Sequence, residues 1–374
     1  MEPIEEARRI GEKIRARREQ IGLSQKTLAE QVGFSAHQII SQIETGQREL
    51  KVWELVRFAD ALHVAFADLV HTNMPTNPQP LVLWRNEPVE NKPLREAEFL
   101  ERCRRFAHVE TLAGRQPYKQ FPAVRRDLAQ LAWNEARDLG QDVWRQMGLG
   151  DRPAKSLVTA LEEQYGIQVW YADLGRDGSA ACVKGDFGQA ILMNTTEAPW
   201  RRNFSFGHEL FHLITWDSPN CSEAVVHKLA NAFASSLLLP SDAVTPEFER
   251  RLTPRGISLA DLITLAREFE VSTEALLWRL FNLRLLDHDV VERVLRNDDF
   301  RNVDRTSMAS SWWSPPPLPE RFVRLAFLAY QKGKLSKAVL ADYLGASLID
   351  LKTRLLEYGL DETADYDASV PAAA

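Results

Sequence analysis

The stretch that decides the reading is Arg202-Asn203-Phe204-Ser205-Phe206-Gly207-His208-Glu209-Leu210-Phe211-His212. On a helix, histidines at i and i+4 lie one turn apart on one face, so both imidazoles can reach a single cation. Glu209 stands beside them, placed to take a proton from a water. Phe204, Phe206, Leu210, Phe211 and Leu213 predict that this helix is buried. The pattern suits Zn²⁺, with His208 and His212 as candidate ligands and Glu209 as the candidate general base.

A catalytic zinc site needs a third protein ligand and keeps one position open. In the next expected helix, residues 223, 227, 230 and 234 share a face. Ala230 and Ala234 are small enough to press that helix against the first, which aims His227 or Glu223 at the metal. Three β-like runs precede the motif, at Ile167–Tyr171, Ala180–Val183 and Ala190–Met193, with Gly/Asp turns between them. Helices are expected at about Ala154–Tyr165, Trp200–Trp216 and Glu223–Leu239, where Pro240 stops the last, and a helix pair over about 258–284.

The N-terminal part has a different texture. A helix over about Ala7–Gln20 carries Arg15, Arg17 and Arg18, read as a phosphate-facing strip. In Leu23-Ser24-Gln25-Lys26-Thr27-Leu28-Ala29-Glu30-Gln31-Val32-Gly33-Phe34-Ser35, Ser24 caps a second helix and Gln25 sits in its first turn. Gly33 permits the positive φ of a tight turn, and Ser35 is expected to cap a third helix. The exposed side of that third helix presents His37, Gln38, Ser41 and Gln42, short polar groups able to reach base edges. Such motifs read two half-sites of a double-stranded operator, so a homodimer is expected.

The 374 residues carry a net charge of −6, so any DNA contact must come from a local patch. Three scattered cysteines, Cys103, Cys182 and Cys221, form no CxxC pair and fit a reducing, cytoplasmic setting. A charged N-terminus and the lack of any long apolar run give no sign of a signal peptide or a membrane span. The expected fold class is mainly α with a small β-sheet (α+β). Residues 1–72 form a five-helix helix-turn-helix domain, and 73–152 a proline-rich linker or covering strand with connector helices at 94–108 and 122–148. Residues 153–296 form a zincin-like α+β domain, 297–320 a second linker and 321–374 a small helical tail domain. Leu335–Ser347 echoes residues 23–35, so the tail is read either as a second helix-turn-helix-like unit or as a protein-interaction module.

Residues 8–70, including Ile43-Glu44-Thr45-Gly46, resemble the Cro/repressor-like helix-turn-helix family known as XRE. Residues 154–284 resemble the ImmA/IrrE metallopeptidase family, through the quoted motif stretch, Ala230-Asn231-Ala232-Phe233-Ala234, Leu237-Leu238-Leu239-Pro240 and Val271–Leu280. The second resemblance implies a zinc peptidase that cleaves a helix-turn-helix repressor and so relieves repression in stress, phage or toxin–antitoxin control. It also implies a glutamate as third ligand where this chain has His227; either three histidines bind or Glu223 takes over. Two functions are expected from the whole. One is a DNA-binding transcriptional regulator with zinc endopeptidase activity toward a regulator protein or itself. The other is a non-proteolytic repressor or antitoxin-like protein whose metal domain senses a signal.

Overall fold

The computed structural model describes residues 3–64, 66–70, 80–114, 118–219, 221–309 and 313–361. It divides into two compact units, one of residues 1–82 and 87–104, the other of 83–86 and 105–374. Among the described residues no helix is long and apolar enough to cross a membrane.

The first unit holds α1 (Pro3–Gln20), α2 (Gln25–Val32), α3 (Gln38–Glu44), α4 (Val52–Ala61) and α5 (Phe66–Val70). Ser24 caps α2 by accepting the Thr27 amide, and Gly33 ends it at φ +85°. Ser35 does not cap α3, whose N-cap is His37 without a side-chain hydrogen bond. Ile14, Leu28, Val32, Ile40, Ile43 and Phe58 close one core.

Strand β1 (Val82–Trp84) and helix α6 (Lys92–Ala113) follow. The proline-rich stretch is thus partly a strand: β1 is the edge of a four-stranded sheet of order β1-β3-β4-β2. The sequence-expected helix over 122–148 is shortened. Residues 118–127 have no regular structure, and α7 (Trp133–Met147) begins where the Glu135 carboxylate accepts the Ala132 amide. Leu128, on the irregular segment, is nevertheless buried.

The central part continues with α8 (Pro153–Thr159), a π-turn over Ala160–Gln164, β2 (Gln168–Ala172), β3 (Ala180–Gly185) and β4 (Gly188–Asn194). Strand β2 runs parallel to β4 and β3 antiparallel to it, Cys182 facing Ile191 and Trp170 facing Leu192. Then come α9 (Pro199–Ile214), α10 (Glu223–Leu238), α11 (Ser241–Glu249), α12 (Leu259–Glu268) and α13 (Thr273–Asn282). Helix α9 lies over β3 and β4, and α10 is sandwiched between α9 and α7.

Two glycines make that sandwich tight. A Cβ on Gly207 would sit 2.9 Å from the Ala234 Cβ, and one on Gly140 would sit 2.5 Å from the Phe233 carbonyl oxygen. Both distances are below ordinary contact, so α9 and α7 reach α10 only because these positions lack a side chain. Helix α7 is therefore part of the central core and not a connector.

Helix α14 (His288–Arg296) closes the expected central domain, and α15 (Asp298–Ala309) replaces half of the expected second linker. The tail, α16 (Glu320–Gln331), α17 (Lys337–Tyr343) and α18 (Leu351–Leu356), belongs to the second unit and is not separate. Phe322 packs against Phe106 and Trp170 with ring centroids 5.4 and 5.3 Å away. Arg321, itself buried, pairs with buried Glu110 and with Tyr118. The last stretch, 362–374, lies outside the described residues.

Candidate metal centre and DNA-reading face

Helices α9 and α10 bring His208, His212 and His227 together. His208 Nε2 lies 3.3 Å from His212 Nε2 and 3.1 Å from His227 Nδ1. Two Zn–N bonds of roughly 2.05 Å at a tetrahedral angle separate their nitrogens by about 3.3 Å. The cluster thus has the spacing of a zinc ligand set.

The opposite ring nitrogens are engaged outside the cluster. His208 Nδ1 donates to Asn231 Oδ1 at 2.9 Å, and His227 Nε2 donates to Glu223 Oε1 at 3.3 Å. Each bond places the proton away from the cluster and leaves a lone pair facing it. Burial, with the charge of nearby groups, holds His208 and His212 well below the usual histidine range, His212 at about 4. Both are therefore neutral, the form that binds metal. The Glu223 side chain, 85% exposed, stands on the far side of His227 from His208.

Glu209 is fully buried; the Cys182 thiol is the donor that faces its carboxylate, and no other hydrogen bond reaches either oxygen among the described residues. Burial pushes it up to about 8, against the pull of the Cys182 thiol on β3 and of the Arg85 guanidinium. A buried carboxyl with so few partners costs stability. It follows His208 directly, on the helix that carries two of the three clustered histidines.

Arg85 follows β1 directly. Its amide donates to the Ala180 carbonyl, and its guanidinium donates to Ser205 and lies 5.4 Å from the Phe204 ring centre. Asn231, Cys182 and Arg85 were not among the expected site residues. Asn231 alone left a usable signal, being i+4 from His227 on α10.

In the first unit, His37, Gln38, Ser41 and Gln42 are all exposed at or on α3. Arg15 is exposed and pairs with Glu19. Arg17 and Arg18 correct the expectation of a phosphate-facing strip, since both are buried. Arg17 Nε donates to the Leu62 carbonyl at 3.0 Å, while Arg18 grips Glu44 with Nε 2.5 Å from Oε1 and a second nitrogen 3.1 Å from Oε2. Gln25 is half-buried and donates to the same Glu44 carboxylate at 2.8 Å, which ties α2 to α3. Arg18 and Gln25 thus hold α3 in place, while Arg17 ties α1 to the end of α4.

Comparison with known families gives two matches. Residues 9–71 match a helix-turn-helix domain model, and residues 162–281 match the IrrE N-terminal-like domain of the M78 peptidases. The chain joins a helix-turn-helix domain to an IrrE N-terminal-like domain. No curated protein matches it. The IrrE-like domain spans the whole histidine cluster and Glu209, whereas Arg85 and α7 lie outside the matched residues.

Proposed function

We propose that the chain is a DNA-binding transcriptional regulator whose IrrE-like domain is a zinc-dependent endopeptidase. Its substrate is a repressor- or antitoxin-type protein, or the chain itself, in stress, mobile-element or phage-related control. The observation that carries this reading is the buried Glu209 carboxyl, faced by a single thiol donor, beside three converging imidazoles.

His208, His212 and His227 would hold the zinc, with Asn231 and Glu223 orienting two of the rings. Bound zinc supplies Lewis acidity that polarises the scissile carbonyl and acidifies a water. With the zinc charge beside it, Glu209 would be ionised despite its burial; it takes the proton from the water as the water oxygen attacks the carbonyl carbon, then delivers it to the nitrogen as the C–N bond breaks. Exposed Gln38, Ser41 and Gln42 read base edges of a duplex operator, and paired half-sites call for a homodimer. The full reading places the protein in the cytoplasm.

The test is Glu209→Gln in the zinc-loaded chain, with zinc content and cleavage of candidate regulators, itself included, measured together. Zinc should stay, and cleavage should fall by about 10²–10⁴-fold. Regulation in cells by Glu209→Gln that matches wild type, with regulation lost in His212→Ala, would instead establish a non-proteolytic sensor.

A further inference from the structure

A cleft of about 580 Å³ opens along the α9–α10 seam beside the histidine cluster. Its lining includes Phe204 and Trp200 from α9, Asn231 from α10, Trp278 from α13, Trp133 at the start of α7 and Arg85 after β1. Asn231 links the cleft to the histidine cluster from outside, because its Oδ1 holds the His208 nitrogen turned away from that cluster. Phe204 lies one helical turn before His208, and Ser205, which Arg85 grips, one turn before Glu209.

The chemistry of the lining narrows the occupant. Its volume falls within the roughly 300–1,000 Å³ of clefts that hold a ligand. Four aromatic rings stand among the polar side chains of the wall, and their open parts can meet another ring by offset or edge-to-face contact. The charges balance, Arg85 and Arg201 against Glu197 and Glu274, so the cleft has no net pull on a phosphate or a polyanion. The Asn282 amide and the Asn231 Nδ2 group, whose Oδ1 is held by His208, are suited to peptide C=O groups.

We propose that this cleft is the specificity subsite of the peptidase and receives an aromatic side chain of the polypeptide that is cut, at one fixed position from the scissile bond. The assignment rests on the endopeptidase reading of the neighbouring site. Part of the wall, Arg85 and Trp133, lies outside the segment that matches the IrrE-like model, so the preference is a property of this chain.

Two measurements on the full chain test it. In the first, zinc-loaded protein is given a proteome-derived peptide library and the cut bonds are mapped by mass spectrometry. Phe, Tyr and Trp should be enriched several-fold at a single position, and the enrichment should fall to background in Trp278→Ala and in Trp133→Ala. Trp133 is 45% exposed, so its removal leaves the core intact. In the second, a fluorescent, end-blocked Ala-Ala-Phe-Ala-Ala peptide is titrated onto zinc-loaded Glu209→Gln and followed by anisotropy. It should bind at least about tenfold more tightly than the all-alanine peptide, and Trp278→Ala should abolish the difference. Cleavage without positional preference, together with equal binding of the two peptides, overturns the subsite alone. Selective binding of the Phe peptide by a protein that cuts nothing overturns the endopeptidase reading and leaves the subsite standing.

Discussion

Asn231 Oδ1 accepts the Nδ1 proton of His208 at 2.9 Å, and this single bond turns the other nitrogen of His208 toward His227. Removing such an outer partner of a metal-binding histidine costs about 10–100-fold in metal affinity. Asn231→Ala should weaken zinc binding by that factor while the fold is kept, because Asn231 is exposed. Chelator competition reads the affinity, and circular dichroism reads the fold. An unchanged affinity would show that the bond does not set the ring.

The placement of His227 against Glu223 predicts an ordered series. His227→Ala should empty the site at zinc concentrations that fill the wild type. His227→Glu should retain zinc, since a carboxylate is also a zinc ligand. Glu223→Ala should lower affinity only modestly, because its carboxylate contacts the outer nitrogen of His227. Metal analysis after dialysis separates the three; a greater loss in Glu223→Ala than in His227→Ala would reverse the assignment.

In the helix-turn-helix domain, two kinds of variant should behave differently. In the native pair the Arg18 and Glu44 side chains are only 10% and 3% exposed; Arg18→Ala leaves the buried carboxylate with Gln25 in place of a cation and should destabilise that domain by about 3–5 kcal/mol. Its melting transition should drop. Replacing Gln38, Ser41 and Gln42 together should leave melting unchanged but erase sequence preference, keeping weak salt-sensitive binding. Binding to a random-sequence duplex pool, followed by sequencing of what is retained, measures the second effect.

Glu162 predicts a pH dependence. It lies on the π-turn, has an unpartnered Oε1, and is raised from 4.5 to about 8 by burial and by the neighbouring Glu163 charge. Between those values the folded chain holds a proton that the unfolded chain has lost. The stability this group allows is therefore complete below pH 4.5 and is lost as pH rises toward 8. Glu162→Gln, which cannot ionise, should melt close to wild type at pH 5 and above it at pH 8.5. A gap of constant size across that range would refute the shift.

Local periodicity made the centre of the site readable, because the i,i+4 step of His208 and His212 survives folding unchanged. The face chosen on the next helix, through 223, 227, 230 and 234, found His227 but passed over Asn231, four residues further on. Arg17 and Arg18 illustrate a different limit. A basic residue reads the same in sequence whether it faces a phosphate or a carboxylate 26 positions away, as Arg18 does with Glu44. Strand β1 is three residues long, too short to show alternation, so its proline-rich surroundings leave linker and covering strand both open in the sequence. Leu128 and Leu131 have helix-like spacing, yet they lie before α7, which starts only at Trp133. Their burial comes from contacts distant in sequence.

The edge strand bears on inheritance. Residues before the IrrE-like match, β1 with Arg85 and α7 with Gly140, complete the sheet and cover α10. A gene rearrangement that carried away only the segment from residue 153 onward would transplant the IrrE-like domain with an open sheet edge and a bared helix. Recombination breakpoints that keep this domain folded must fall upstream of β1, so the evolutionary cassette is longer than the motif-bearing domain suggests.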